Sequence, residues 1–176
     1  MTRLHFAIED FAALFDTVRR SSWRWECQGF YAIDAGELDS WLAGEAVPST
    51  AEDEAWEEYV RGLRAAGIPF ERLRVLADPP TDYERWMLAV TDRSLDIGED
   101  VRWVDRSVVA RLGDAPAYDY YIFDDDRVLL LEFDDVKNLT GLVLDDGPDV
   151  VARHQRWRDI VWPHAVPHVE MVNARK

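Results

Sequence analysis

Cysteine is all but missing from this chain of 176 residues: Cys27 stands alone, which excludes an internal disulfide and any zinc site built from several thiolates. Its neighbours Trp25 and Glu26 read as the surroundings of a buried bystander rather than of an activated nucleophile. Lysine occurs only at Lys137 and Lys176, so the positive charge is almost all arginine. Basic residues total 20 against 35 acidic ones, a net charge of −15 that repels phosphate backbones and argues against direct nucleic-acid binding. No apolar run approaches the roughly 18 residues of a membrane span, and the N-terminal stretch mixes charge with apolar side chains instead of forming a secretory core. A cytoplasmic protein with no membrane contact is expected. There is no Gly-x-Ser-x-Gly, no glycine-rich phosphate loop and no dinucleotide fingerprint, so neither a catalytic residue nor a cofactor is expected.

What is present is a globular composition, 48% hydrophobic with eight tryptophans, in a length that suits one domain. The chain divides into an N-terminal helix and strand (1–48), a central core (49–146) and a C-terminal helix and tail (147–176). Apolar spacing predicts a helix over Glu9–Arg19, an extended segment over Trp23–Ile33 and a short helix over Glu37–Leu42. Ser49 or Thr50 caps a helix that Gly67 ends, Phe70–Ala77 is a strand, and Thr81-Asp82-Tyr83-Glu84 opens a helix reaching Arg93. Val101–Asp105 is a strand, and Tyr118–Phe123 and Arg127–Phe133 form a hairpin about Asp124-Asp125-Asp126. Leu139–Leu144 adds a strand, and Asp146-Gly147-Pro148 starts a helix with Val150, His154, Trp157 and Val161 on one stripe. The class is α/β or α+β, a central mixed sheet with flanking helices.

Arginine carries the candidate chemistry. Arg72 and Arg74 are two apart on a strand and project to one face; Arg24 sits on an earlier strand, Arg85 on the following helix and Arg102 on the next strand. Together with Tyr83 they outline a cleft for a carboxylate or phosphate, which paired guanidinium N–H groups hold well. The competing reading is that each arginine merely pairs with an acid such as Glu71, Glu84, Glu99 or Asp100. No metal site is expected: His164 and His168 are four apart but separated by Pro167, and His154 reads as a core histidine. The acidic cluster at Asp124–Asp126 lacks the ligand order of a calcium loop.

Two resemblances follow from particular stretches. Ser22-Trp23-Arg24-Trp25-Glu26 with Tyr31, Leu73-Arg74-Val75, Asp82-Tyr83-Glu84-Arg85, Gly98 to Trp103, Tyr118 to Asp124 and His154 to His168 resemble a family of small actinobacterial proteins, the domain of unknown function 6879, often encoded beside helix-turn-helix regulators. Trp56 to Phe133 is similar in its order of elements to one half of a phospholipase D-like fold. Enzymes of that superfamily carry His-x-Lys, four residues and an Asp; laid against Asp124, the spacing puts Ala117 at the histidine and Asp119 at the lysine. An alanine cannot attack phosphorus, and an aspartate repels phosphate, so that resemblance implies a degenerate copy without the reaction.

The expectation is therefore a non-enzymatic regulatory or interaction module that binds a protein partner, such as a helix-turn-helix regulator, or a small anionic ligand in the arginine-lined cleft. The alternative is a biosynthetic enzyme using Tyr83, His154 or Asp119 as acid or base there. A third reading is an acidic partner that sequesters a basic regulator. Oligomeric state is open.

Overall fold

The computed structural model describes residues 2–175, whose strands are β1 (Arg3–Phe6), β2 (Ser22–Glu26), β3 (Phe70–Leu76), β4 (Asp100–Asp105), β5 (Tyr120–Phe123), β6 (Arg127–Phe133), β7 (Leu139–Asp145) and β8 (Val166–Pro167). They form one sheet in the order β1-β7-β6-β5-β2-β3-β4-β8. The helices are α1 (Phe11–Phe15), α2 (Ala35–Leu42), α3 (Ala51–Ala65), α4 (Asp82–Val90), α5 (Asp92–Ile97), α6 (Arg106–Leu112), α7 (Pro148–Val161) and α8 (His168–Asn173). β2, β3 and β4 run parallel because helical crossovers join them, whereas β5, β6 and β7 form an antiparallel meander. The expected mixed sheet with flanking helices is what is observed, and strands from all three segments share it.

Strand parity decides which layer each side chain enters. Trp23 and Trp25 of β2, Leu73 and Val75 of β3, and Tyr120 and Ile122 of β5 pack against Val151, Trp157 and Val161 of α7. On the opposite face, Phe70, Tyr121, Phe123, Leu129 and Leu131 meet Leu14 and Phe15 of α1, Val60 and Leu63 of α3, and Ile97 of α5. Phe15 is the centre of that layer, its ring 5.0 Å from those of Tyr121 and Phe123 and 5.2 Å from Trp56. A third cluster joins Leu76 and Trp103 to Tyr83, Trp86 and Met87 of α4 and Met171 of α8.

Several boundaries differ from expectation for local reasons. The helix expected over Glu9–Arg19 ends at Phe15, because the Asp124 carboxylate draws in the backbone N–H groups of Arg19, Arg20 and Ser21 at 3.0, 2.6 and 3.1 Å. The segment expected to be extended from Trp23 to Ile33 stays in the sheet only to Glu26, since Cys27 N–H turns aside to the Asp119 carboxylate at 2.9 Å. The helix expected to reach Arg93 breaks at Thr91, whose hydroxyl bonds to the Met87 carbonyl at 2.6 Å. The edge strands β1 and β8 and the helices α6 and α8 were not expected.

Candidate functional site

Adjacent parallel strands β2 and β3 set Arg24 opposite Arg72 and Glu26 opposite Arg74. All four side chains emerge on the face that carries α1, α3 and α5, an ionic island in an apolar layer. Charge in such a place has to be paired, and Glu26 does most of the pairing. Its carboxylate lies 3.4 Å from Arg24 Nε and 3.2 Å from both Arg72 Nη1 and Arg74 Nε. Each arginine then has a second anchor. Arg72 meets Glu99 at 3.0 Å, Arg74 Nη1 donates to Thr91 Oγ1 at 2.7 Å, and Arg24 donates to Tyr121 Oη at 3.0 Å with Asp119 at 3.5 Å. Arg74 also lies over the Trp103 ring and Arg24 over that of Tyr121.

The titration of these groups reflects that crowding. Burial pushes the Glu26 carboxyl up, but Arg24, Arg74 and Arg72 together outweigh it and hold it down at about 2. Asp119 goes the other way: burial raises it, and Arg24 offsets only part of the effect. Its carboxylate accepts hydrogen bonds from Tyr31 Oη and Cys27 N–H, and burial pushes the Tyr31 hydroxyl and the Cys27 thiol up as well.

The island floors a cleft of about 770 Å³. Trp56, Trp86, Met87, Leu131 and Phe133 are among its walls, and its mouth carries Asp34, Glu37, Asp53 and Glu57 beside Arg93 and Lys137. A second recess of about 460 Å³ shares Leu131, Phe133 and Lys137 with the first and includes Ala117.

Of the residues singled out in the sequence, the structure brings Arg24, Arg72 and Arg74 together and leaves the rest outside. Arg85 is a correction: it projects from the exposed side of α4, paired with Asp82 of its own helix and donating to the Pro80 carbonyl at 3.1 Å. Arg102 is a second correction. Its register opposite Leu73 puts it on the other face of the sheet, over Trp162 and paired with Asp100 at 2.8 Å. Tyr83 is buried behind the wall and touches the mouth only through its hydroxyl bond to Asp34. Among the acid and base candidates, Asp119 is sealed at 0% exposure, and His154 lies on the α7 face, its Nδ1 2.7 Å from the Val150 carbonyl. Only three of the expected arginines converge, and at the floor they also pair with acids, Glu26 and Glu99.

Sequence reasoning missed Trp86, Thr91 and the acidic mouth, whose residues come from separate elements with no shared spacing. It placed Arg24 in the cleft but gave no part there to Glu26, which is the hub. The signal was there in outline: Arg-x-Glu on one strand and Arg-x-Arg on the next.

Fold and site define a mixed α/β protein whose cleft has an ion-paired arginine floor, apolar walls and a charged mouth. The chain belongs to the family described as a domain of unknown function (DUF6879), whose model matches residues 9–173. No curated protein matches it. Among solved structures it is similar to NucT from Helicobacter pylori, with a TM-score of 0.54 at 12% identity over 94% of this chain and 98% of that one. TrmBL2, an archaeal chromatin protein described as showing a novel mode of DNA binding, gives 0.49 at 11% identity, and this chain spans 55% of it. A phosphatidylserine synthase of Haemophilus influenzae Rd KW20 gives 0.49 at 11%, and the chain spans 39% of it. At such identities the likeness to NucT is one of fold alone.

Proposed function

We propose that the protein is a non-enzymatic binding module of regulatory character, and that its cleft takes a small anionic ligand with an apolar body. One observation carries this reading: the guanidinium groups of Arg24, Arg72 and Arg74 meet at the floor of an apolar-walled recess of about 770 Å³. Guanidinium forks suit carboxylates and phosphates, and in a site shielded from water each such bond is stronger than at the surface. Pairing to Glu26 fixes the forks in place without using every donor; among the described residues no acceptor reaches Arg74 Nη2. Isothermal titration against a panel of alkyl and aryl carboxylates and phosphate monoesters tests the reading. At least one should bind saturably, and Arg74→Lys, which keeps the charge that Glu26 needs but loses the fork, should weaken it about ten-fold or more. A wild-type protein that binds none of them ends this proposal.

The regulatory part of the reading rests on charge. A net −15 suits a basic partner, and we take a helix-turn-helix regulator in an actinobacterial cytoplasm as the setting. Pull-down of such a regulator at low salt that disappears at high salt is the expected outcome.

One observation favours the enzyme reading, namely the raised Asp119 carboxyl beside Arg24. Its complete burial and its position outside the cleft wall weigh more, because an acid or base must reach the atom it serves. Turnover of any ligand from the panel that Asp119→Asn abolishes would reverse that preference.

A further inference from the structure

Charge is segregated along the depth of the cleft. At the floor Arg24, Arg72 and Arg74 face the cleft with Glu26 as the carboxylate that lines it beside them, while Glu99 and Asp119 meet Arg72 and Arg24 from outside the lining. Arg24 Nε and Arg72 Nε make no hydrogen bond but lie 3.4 and 3.0 Å from the carboxylates of Glu26 and Glu99, whereas the indole N–H of Trp86, which lines the cleft at 3% exposure, has no acceptor. A buried donor without a partner is costly, so the floor favours whatever brings an acceptor.

The mouth has the opposite character. Of its cations, Arg93 is engaged by Glu57 at 2.5 Å. Asp34, Glu37 and Asp53 are left with no cation within salt-bridge distance among the described residues, and Glu37 has no hydrogen bond either. Asp34 accepts from Tyr83 Oη, and Asp53 accepts from the N–H and hydroxyl of Thr50, each at 2.8 Å. These carboxylates feel one another: the Glu37 carboxyl is pushed up by its partial burial and then by the charges of Asp53 and Asp34, with Arg93 opposing. Lys137, at the far wall, spends its ammonium on Gln28 Oε1 at 2.7 Å.

We infer that the cleft selects a bipolar ligand, with a carboxylate or phosphate on the Arg24, Arg72 and Arg74 floor, an ammonium or guanidinium between Asp34, Glu37 and Asp53, and an apolar body between them. This rests on the cleft being an anion site and goes further by naming the class of ligand. A simple anion has to pass carboxylates that repel it, whereas a ligand with a trailing cation is attracted at both ends. Trp56, Met87 and Phe133 flank the space that the body would fill.

The test is calorimetric titration of ω-aminoalkanoates, from valerate to undecanoate length, each matched with the plain alkanoate and the alkylamine of the same length. At low salt the best ω-aminoalkanoate should bind about ten-fold tighter than its alkanoate, since three partly exposed charge contacts of about two-fold each combine. Salt should erase most of that preference. Glu37→Gln should cut it about two-fold, and Glu37→Lys should reverse the order; Glu37 is exposed and unbonded, so both proteins should fold. If aminoalkanoate and alkanoate bind alike, the bipolar inference falls and the anion floor stands. If the alkylamine binds as tightly as the aminoalkanoate, or if no probe binds, both fall.

Discussion

Glu26 is one carboxylate serving three guanidiniums, and its neutralisation is felt at all of them. Removing one side of a buried ion pair strands the other, so Glu26→Gln should cost about 3 to 5 kcal/mol, read from the urea midpoint. The pH dependence has a definite sign. Folded Glu26 sits near 2, below its ordinary 4.5, so its stabilisation is complete above the ordinary value and is lost as pH falls through about 2. Wild type should lose stability across that window, and Glu26→Gln should lack that part of the slope. Asp119 has the reverse sign, because burial raises its carboxyl in the folded protein. The folded state then holds its proton longer than the unfolded chain, and stability falls as pH rises above the ordinary aspartate value. Asp119→Asn keeps one acceptor, for Cys27 N–H, and turns an amide donor toward the Tyr31 hydroxyl oxygen, which can accept it; its stability relative to wild type should improve with rising pH in matched urea titrations.

At the scale of elements, short contacts fix where each begins and ends. Thr50 caps α3, accepting from Asp53 N–H at 3.1 Å, and Thr81 caps α4, accepting from Glu84 N–H at 3.2 Å; either alanine variant should cost about 1 kcal/mol. Gly98 closes α5 at a φ of 111°, and a Cβ there would come within 2.5 Å of Arg64 Cδ. Gly98→Ala should therefore lower the thermal midpoint through roughly 1 to 2 kcal/mol of backbone strain, and Gly98→Ala with Arg64→Ala should recover only what the contact adds. The caps, the alternation in β2 and β3, and the Asp124-Asp125 turn, with φ of 56° and 61°, were legible because each is written in a few consecutive residues. The early end of α1 was not: Phe11, Leu14, Phe15 and Val18 keep a helical rhythm, and what stops the helix is a carboxylate more than a hundred positions away. Arg102 shows the same limit for the site. Which face it takes depends on its register against β3, and no spacing within its own strand reveals that.

For the molecule as a whole, the excess of negative charge and the buried ionic floor respond differently to salt. Repulsion among exposed carboxylates at −15 is screened beyond a distance of roughly 10 Å at 0.1 M salt, whereas the ion pairs of the buried Glu26 hub are 3.2 to 3.4 Å long and are screened much less. Urea midpoints at neutral pH should thus rise from low to moderate salt, and the difference between wild type and Glu26→Gln should hardly change.

Because β1 and β8 form the two rims of the sheet, seven spacings of roughly 4.8 Å hold Arg3 and Val166 on the order of 34 Å apart. Fluorophores attached near those positions would stand at a separation where energy transfer is steep, and either rim strand peeling away would register as a change in colour while the arginine floor on β2 and β3, the fifth and sixth strands counted from β1, stayed dark to the probe.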